Sequence, residues 1–353
     1  MTSETLLDSL ERLRGTGSEF AGFLANHGPM GAEALVTLGA GDYAPGWTTR
    51  YRRARDLEAA PAPDRPLHDD EWRQATGDVR LLARWVATTR RDLAEAPWGD
   101  VLATWWPRLL PGLAASATHG VIRTAHAVRS LANAGADPDP LLVDELAHGL
   151  ALWGARYQPL PGNPRLAGPY GARDALARLP RSDADEPVTG PGIGGALGRL
   201  VRLDGFAPAL DTYGAPADPD EALDELIAAA ARVLWTHPDQ PIGFCHAVTA
   251  PAAIRLVLSH LPAVQHRPTI AAAWQVLAGI IAASSPDAAA DGLSREVPDR
   301  APAPETVLGR AVEHGDEHVI KLAEAAIREH ARTGDPVLLH AAHAFPDRLP
   351  PMS

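Results

Sequence analysis

Apolar residues recur at three- and four-residue spacings along almost the whole chain, and convincing alternation of period two is hard to find. That spacing places an apolar stripe on each of many helices and leaves no material for a large sheet. Ser3 and Glu4, followed by Leu6, Leu7, Leu10 and Leu13, read as a capped first helix. Further helices are predicted near 30–39, 71–95, 100–114, 119–134, 140–155, 169–179, 192–203, 219–235, 250–261, 269–283, 304–314, 316–332 and 335–344. Their boundaries fall at clusters such as Ala136-Asp-Pro-Asp-Pro140 and Pro159-Leu-Pro-Gly-Asn-Pro164. The polar, Pro-rich runs at 59–70, 180–191, 206–220 and 285–304 read as loops. None is long enough to be a clear interdomain linker, and no repeat of roughly 30–45 residues recurs. The expectation is one irregular all-α domain spanning residues 1–353 with Pro-rich connections.

Composition narrows the partners. The 353 residues carry a formal charge of −12 with no Lys/Arg-rich run, which argues against holding nucleic acid or an anionic membrane. No apolar stretch reaches the about 18–20 residues that span a bilayer. The N-terminal text MTSETLLDSLERL has acids where a secretory signal carries bases, so a cytoplasmic protein is expected. A single cysteine, Cys245, excludes an internal disulfide framework and a multi-cysteine metal site. Nine tryptophans, against five each of Phe and Tyr, could line a pocket for a flat ligand or fill core.

One apparent motif is set aside. Gly190-Pro-Gly-Ile-Gly-Gly195 matches G-x-G-x-x-G, a spacing that binds dinucleotides only between a strand and a helix. Polar residues 181–186 precede it, so it reads as a loop entering a helix.

Histidine is the informative residue type. His68 and His266 sit in polar loops, whereas His27, His119, His126, His246 and His318 lie in apolar, helix-like text. Burying an imidazole is unfavourable unless both ring nitrogens find partners. Each ring could bond a backbone carbonyl or carboxylate alone, or several could share a metal. Of 32 basic side chains only one, Lys321, is a lysine. His318 and Lys321 are i, i+3 neighbours on a helix, with His314 one turn earlier on that face. Beside a metal-bound imidazole the amine must be neutral or converted with CO₂ to an anionic carbamate, which arginine cannot form. The plain alternative pairs Lys321 with Glu317 or Glu324 on a solvated face. His119, Arg123 and His126 form another stripe, on which Arg123 either holds an anionic or phenolate group or, the favoured reading, bridges a carboxylate between helices. His340 and His343 are i, i+3 partners that could join the same site or just pack. Cys245 and His246 are adjacent and point apart, which disfavours a Cys/His nucleophile.

Four short strings, in order, resemble motifs of the questin oxidase-like family: Asn26-His27 with Ala34-Leu-Val-Thr-Leu-Gly-Ala40, His119-Gly-Val-Ile-Arg123, His246-Ala-Val-Thr-Ala-Pro251 and His318-Val-Ile-Lys321. The resemblance covers roughly residues 20–345. That family includes fungal polyketide-tailoring enzymes that open anthraquinone-type rings. Some are described as NADPH-dependent Baeyer–Villiger oxidases, and at least one is a non-heme iron dioxygenase with four histidine ligands and a carboxylated lysine. The resemblance implies an Fe(II) site of His27, His119, His246 and His318, with Lys321 as the carbamate formed from CO₂. It also implies O₂ as co-substrate, and an aromatic small-molecule substrate stacked on tryptophan. Asn26, Arg123 and Thr249 become candidates for orienting ligands or substrate. Five protein donors would leave one position of an octahedron open. The chain departs from fungal relatives at Gly28-Pro-Met-Gly31, where they carry further histidine, and at His126, where an aromatic is common.

The leading expectation is thus a non-heme iron oxygenase that cleaves, or inserts oxygen into, a ring of an aromatic polyketide or quinone. Its rivals are a metal-free or NADPH-assisted Baeyer–Villiger oxidase and a non-catalytic helical ligand-binding protein with structural histidines. The lack of a credible dinucleotide fingerprint weighs weakly against the NADPH reading.

Overall fold

Asp-Pro pairs open three of the long helices in the computed structural model, which describes residues 4–183, 188, 190–237, 239–284 and 296–352. Asp139, Asp218 and Asp335 each accept the N–H two residues ahead, while Pro140, Pro219 and Pro336 take the first helical position. Proline is tolerated there because that amide has no partner within the helix. The all-α expectation holds: the chain is mostly helical, at 67%, with one small three-stranded sheet.

The helices fall into two compact units. The first, Met1–Pro159 with Leu256–Pro262 and Met352–Ser353, carries α1 (Glu4–Leu13), β1 (Thr16–Phe20), β2 (Leu24–Ala25), α2 (Gly28–Thr37), α3 (Ala44–Ala54), β3 (Leu57–Ala59), α4 (Trp72–Ala75), α5 (Leu82–Glu95), α6 (Trp98–Leu109), α7 (His119–Ala134) and α8 (Pro140–Ala155). The sheet has the order β2-β1-β3, all antiparallel, with Glu19 opposite Ala25 and Thr16 opposite Ala59. At the heart of this unit α7 packs on α8, closely enough that a Cβ at Gly120 would fall 2.7 Å from the Trp153 Cα. Only glycine permits that approach.

The second unit, Leu160–Arg255 with Ala263–Pro351, carries α9 (Ala172–Leu176), α10 (Gly192–Leu197), α11 (Phe206–Ala209), α12 (Pro219–Thr236), α13 (Pro241–Leu258), α14 (His266–Ser284), α15 (Pro304–His314), α16 (Glu317–Thr333) and α17 (Pro336–Ala344). Its core rests on α12 with α14 and α17, and on α16 with α15 and α17. Gly190–Gly195 enters α10 from a bend, as a loop-to-helix turn should.

Several boundaries differ from expectation. The run 71–95 is two helices, α4 and α5, separated by Gly77 and Asp78. The expected loop at 206–220 contains α11, and both α3 and the sheet are additions. α13 begins at Pro241, nine residues before the predicted start, because Pro251 lies inside the helix rather than opening it. That change puts His246 on a helix. It also makes α13 long and apolar enough to cross a membrane by length and composition, contrary to the expectation that no stretch reaches that length. The helix is 78% buried inside the protein, as a core helix is. The Ser3 cap, and parts of the loops at 180–191 and 285–304, lie outside the described residues.

Seven of the nine tryptophans are buried in the core. Trp85, Trp106, Trp153 and Trp274 are fully buried, and the indole N–H groups of Trp85, Trp153 and Trp274 donate to backbone carbonyls of Ala75, Gly112 and Leu210. Satisfying that one donor is what allows so large a ring inside.

Candidate metal centre

His27 directly precedes α2 and is almost fully buried. Asn26 clamps the chain on its other side: its amide nitrogen donates to the Thr16 hydroxyl and the Gly17 carbonyl, and its Oδ1 accepts from Gly28 N at 3.0 Å. The backbone N–H of His27 donates to the Tyr51 hydroxyl at 2.7 Å, and the Tyr51 ring stacks on Trp47. A Cβ at Gly31 would stand 2.2 Å from the Trp47 ring. Gly31→Ala therefore has to push Trp47, and with it Tyr51 and His27, from a closed core. We expect it to lower unfolding free energy by about 1–3 kcal/mol in urea titrations, the usual effect of overpacking.

His119 opens α7 after an unusual turn. Ser116, Ala117 and Thr118 all adopt left-handed backbone, with φ of 49°, 53° and 72°. For a residue with a Cβ this region costs roughly 1–2 kcal/mol and is visited singly rather than in runs. The turn aims the Ser116 carbonyl at His119, whose Nδ1 lies 2.6 Å from it. An imidazole facing a carbonyl must donate, so Nδ1 carries the hydrogen and Nε2 presents its lone pair. That Nε2 lies 2.6 Å from His27 Nε2, with the two rings edge to face. A hydrogen shared there must leave before both nitrogens can hold one ion.

On α16 the arrangement repeats with a carboxylate. Asp316 caps the helix by accepting from His318 N, and the same Oδ1 lies 3.2 Å from His318 Nδ1. The Nδ1–H thus points at a carboxylate, the arrangement usual for a metal-ligating histidine. His246 is 1% exposed on α13, and its ring lies edge to face with that of His318, centroids 5.7 Å apart.

His27, His119, His246 and His318 each offer one ring nitrogen as a possible metal ligand, the first two paired within the first unit and the last two paired within the second. Imidazoles of this kind, three buried and that of His318 partly so, can coordinate a metal ion. Lys321, one turn beyond His318, is 2% exposed, and its Nζ is buried with no hydrogen-bond partner. Burial pushes the amine down to about 8, against the opposing fields of Cys245, Glu317 and Asp316. The solvated pairing with Glu317 or Glu324 is overturned, since both carboxylates are buried and Glu324 bonds Arg328. Cys245 is no nucleophile: burial pushes its thiol up to about 12.

The other candidates are not among these ligand nitrogens. Arg123 bridges helices as favoured, with Nε and Nη2 donating to the Glu145 carboxylate at 3.0 and 2.9 Å. Its buried Nη1 has no partner, and the residue lines a narrow cleft together with Leu6, Met30, His126 and Leu142. Thr249 donates to the Cys245 carbonyl of its own helix. His314 is not on the face of His318, because Gly315 ends α15 between them, and its Nε2 faces the Leu349 carbonyl. His340 contacts the Pro298 carbonyl, and His343 faces Arg310.

His126 belongs to a separate ionic cluster in which Glu33 accepts from His126 Nδ1 at 2.6 Å and from Arg129. Burial by itself pushes the Glu33 carboxyl up, but Arg129 and His126 hold it down at about 2, below its usual 4.5. A depressed carboxyl contributes stability above its unfolded value and loses it as pH falls through the folded one. The stability gap between wild type and Glu33→Gln should therefore narrow by about 3 kcal/mol between pH 5 and pH 2, as followed by urea unfolding at each pH.

Sequence reasoning missed Tyr51, Asp316 and the left-handed turn. An aspartate two residues before His318 was a readable cap, whereas nothing in Ser116-Ala-Thr118 announces positive φ. The chain matches no protein-family model and no curated protein.

Proposed function

We propose that this chain is a non-heme iron-dependent oxygenase of the questin oxidase-like kind, acting on a ring of an aromatic polyketide or quinone. The observation that carries the reading is a set of four histidines each able to offer a metal ligand, with a buried, unpartnered lysine one turn beyond His318. A scaffold gains nothing from leaving an amine in that state, because an unsatisfied buried donor opposes folding.

His27, His119, His246 and His318 would hold the metal, with Lys321 as the fifth donor. Iron, when bound, supplies the redox chemistry that couples ring oxidation to O₂. The Ser116 carbonyl and Asp316 keep His119 and His318 in the tautomer that binds. In its neutral form the Lys321 Nζ attacks CO₂: one N–C bond forms as one C–O π bond opens, and the displaced proton passes to solvent, giving a carbamate whose negative charge offsets the cation. Arg123, already neutralised by Glu145, offers its free Nη1–H to an oxygen of the substrate.

The test is metal content by ICP-MS on protein made without a polyhistidine tag. Near-stoichiometric iron, with substrate-dependent O₂ uptake that needs no NADPH, is the expected result. No bound metal, even after anaerobic loading with Fe(II) and bicarbonate, would sink the proposal. O₂ uptake that requires NADPH in metal-free protein would transfer the assignment to a Baeyer–Villiger oxidase.

A further inference from the structure

We infer that the left-handed turn Ser116–Thr118 is a positioning device for His119, kept strained so that one carbonyl selects the ring tautomer that faces the metal. The inference rests on the metal reading above. Five non-glycine residues among those described have positive φ, and three of them are these consecutive residues. Ala21 and Leu166 aside, the described residues elsewhere meet the same backbone requirement with glycine, as at Gly205 and Gly315. The run without glycine stands immediately before a candidate ligand, and strain concentrated at one place points to a use for it.

The use is visible in the hydrogen bonds. The Ser116 carbonyl accepts twice from His119, from its backbone N–H at 3.1 Å and from Nδ1 at 2.6 Å. Thr118 is fully buried, and its carbonyl accepts the N–H of Ile122 in the first turn of α7. The turn is thus tied at both ends, and Cβ atoms within it limit how far the Ser116 carbonyl can swing. Glycine would relax the backbone but free that carbonyl, and His119 could then place its hydrogen on either nitrogen. Only the Nδ1–H tautomer leaves Nε2 beside His27 able to bind an ion.

Ala117→Gly and Ser116→Gly separate this role from a merely structural one, with Ala21→Gly as a control at another positive-φ alanine. All three metal-free variants should melt above wild type, by about 1–3 °C, because glycine removes the penalty. Co(II) affinity, followed by its absorption bands, should fall about tenfold in the two turn variants and stay at the wild-type value in Ala21→Gly. In the metal-free protein the ¹⁵N shifts of the His119 ring should report a single Nδ1–H tautomer in wild type and a mixture in Ala117→Gly. Turn variants that melt higher yet keep wild-type Co(II) affinity and a single tautomer would overturn the inference alone, as would turn variants that melt below wild type. A wild type that takes up no Co(II) would overturn the metal reading and this inference with it.

Discussion

His246→Ala should empty the proposed metal site while leaving the helices in place. The residue is 1% exposed on α13 and is one of the four histidines that offer a ring nitrogen as a possible metal ligand. Losing a partner that only orients a ligand typically costs about 10–100-fold in metal affinity, and losing the ligand itself should cost more. Metal per chain, measured by ICP-MS on untagged protein, should fall from near one to background. The helical circular dichroism should persist, with a lower melting temperature from the cavity left in α13. His340→Ala is the matched control, because His340 faces the Pro298 carbonyl outside the group and its loss should leave metal content unchanged. Were the four histidines structural, wild type and both variants would carry equally little metal and His246→Ala would differ only in stability.

Three helices could be read from the sequence to the residue. α7, α8 and α15 lie at 119–134, 140–155 and 304–314 as predicted, and Asp139-Pro140 marks the second of them to the residue. Proline misled where its position was ambiguous: Pro251 reads as a helix start and is a helix interior, which hid the bilayer-length run of α13. The sheet escaped notice because strands of five, two and three residues are too short to show a period of two. At the site, apolar flanks marked the four histidines, since a buried imidazole needs a reason. The burial of Lys321 was not legible. Glu317 and Glu324 flank it at helical spacing and suggest a wet face, yet α16 is buried on nearly every side from Val319 to Ala326. The Ser116–Thr118 turn left no trace because its strain is imposed by packing and not by residue type.

Lys321→Met should move stability and metal binding in opposite directions. In metal-free protein without CO₂ the Lys321 amine is buried with no hydrogen-bond partner, and burial alone drives it toward the neutral form. An unsatisfied buried polar group of this kind costs about 1–3 kcal/mol, and methionine fills a similar volume with a flexible apolar chain. The metal-free variant should therefore unfold at higher urea than wild type, by about 1–3 kcal/mol in extrapolated free energy. Adding Fe(II) and bicarbonate anaerobically should reverse the order. Wild type gains stability in proportion to the logarithm of metal over its dissociation constant, whereas the variant keeps four imidazoles and no anion to balance the cation. Lys321→Arg separates charge from chemistry: guanidinium stays protonated and cannot take up CO₂, so it should lose metal as methionine does and also lose stability. A Lys321→Met protein less stable than wild type without metal would mean that the amine has a structural partner in solution. One that binds iron as tightly as wild type would remove Lys321 from the ligand set and leave the four histidines to hold the ion alone.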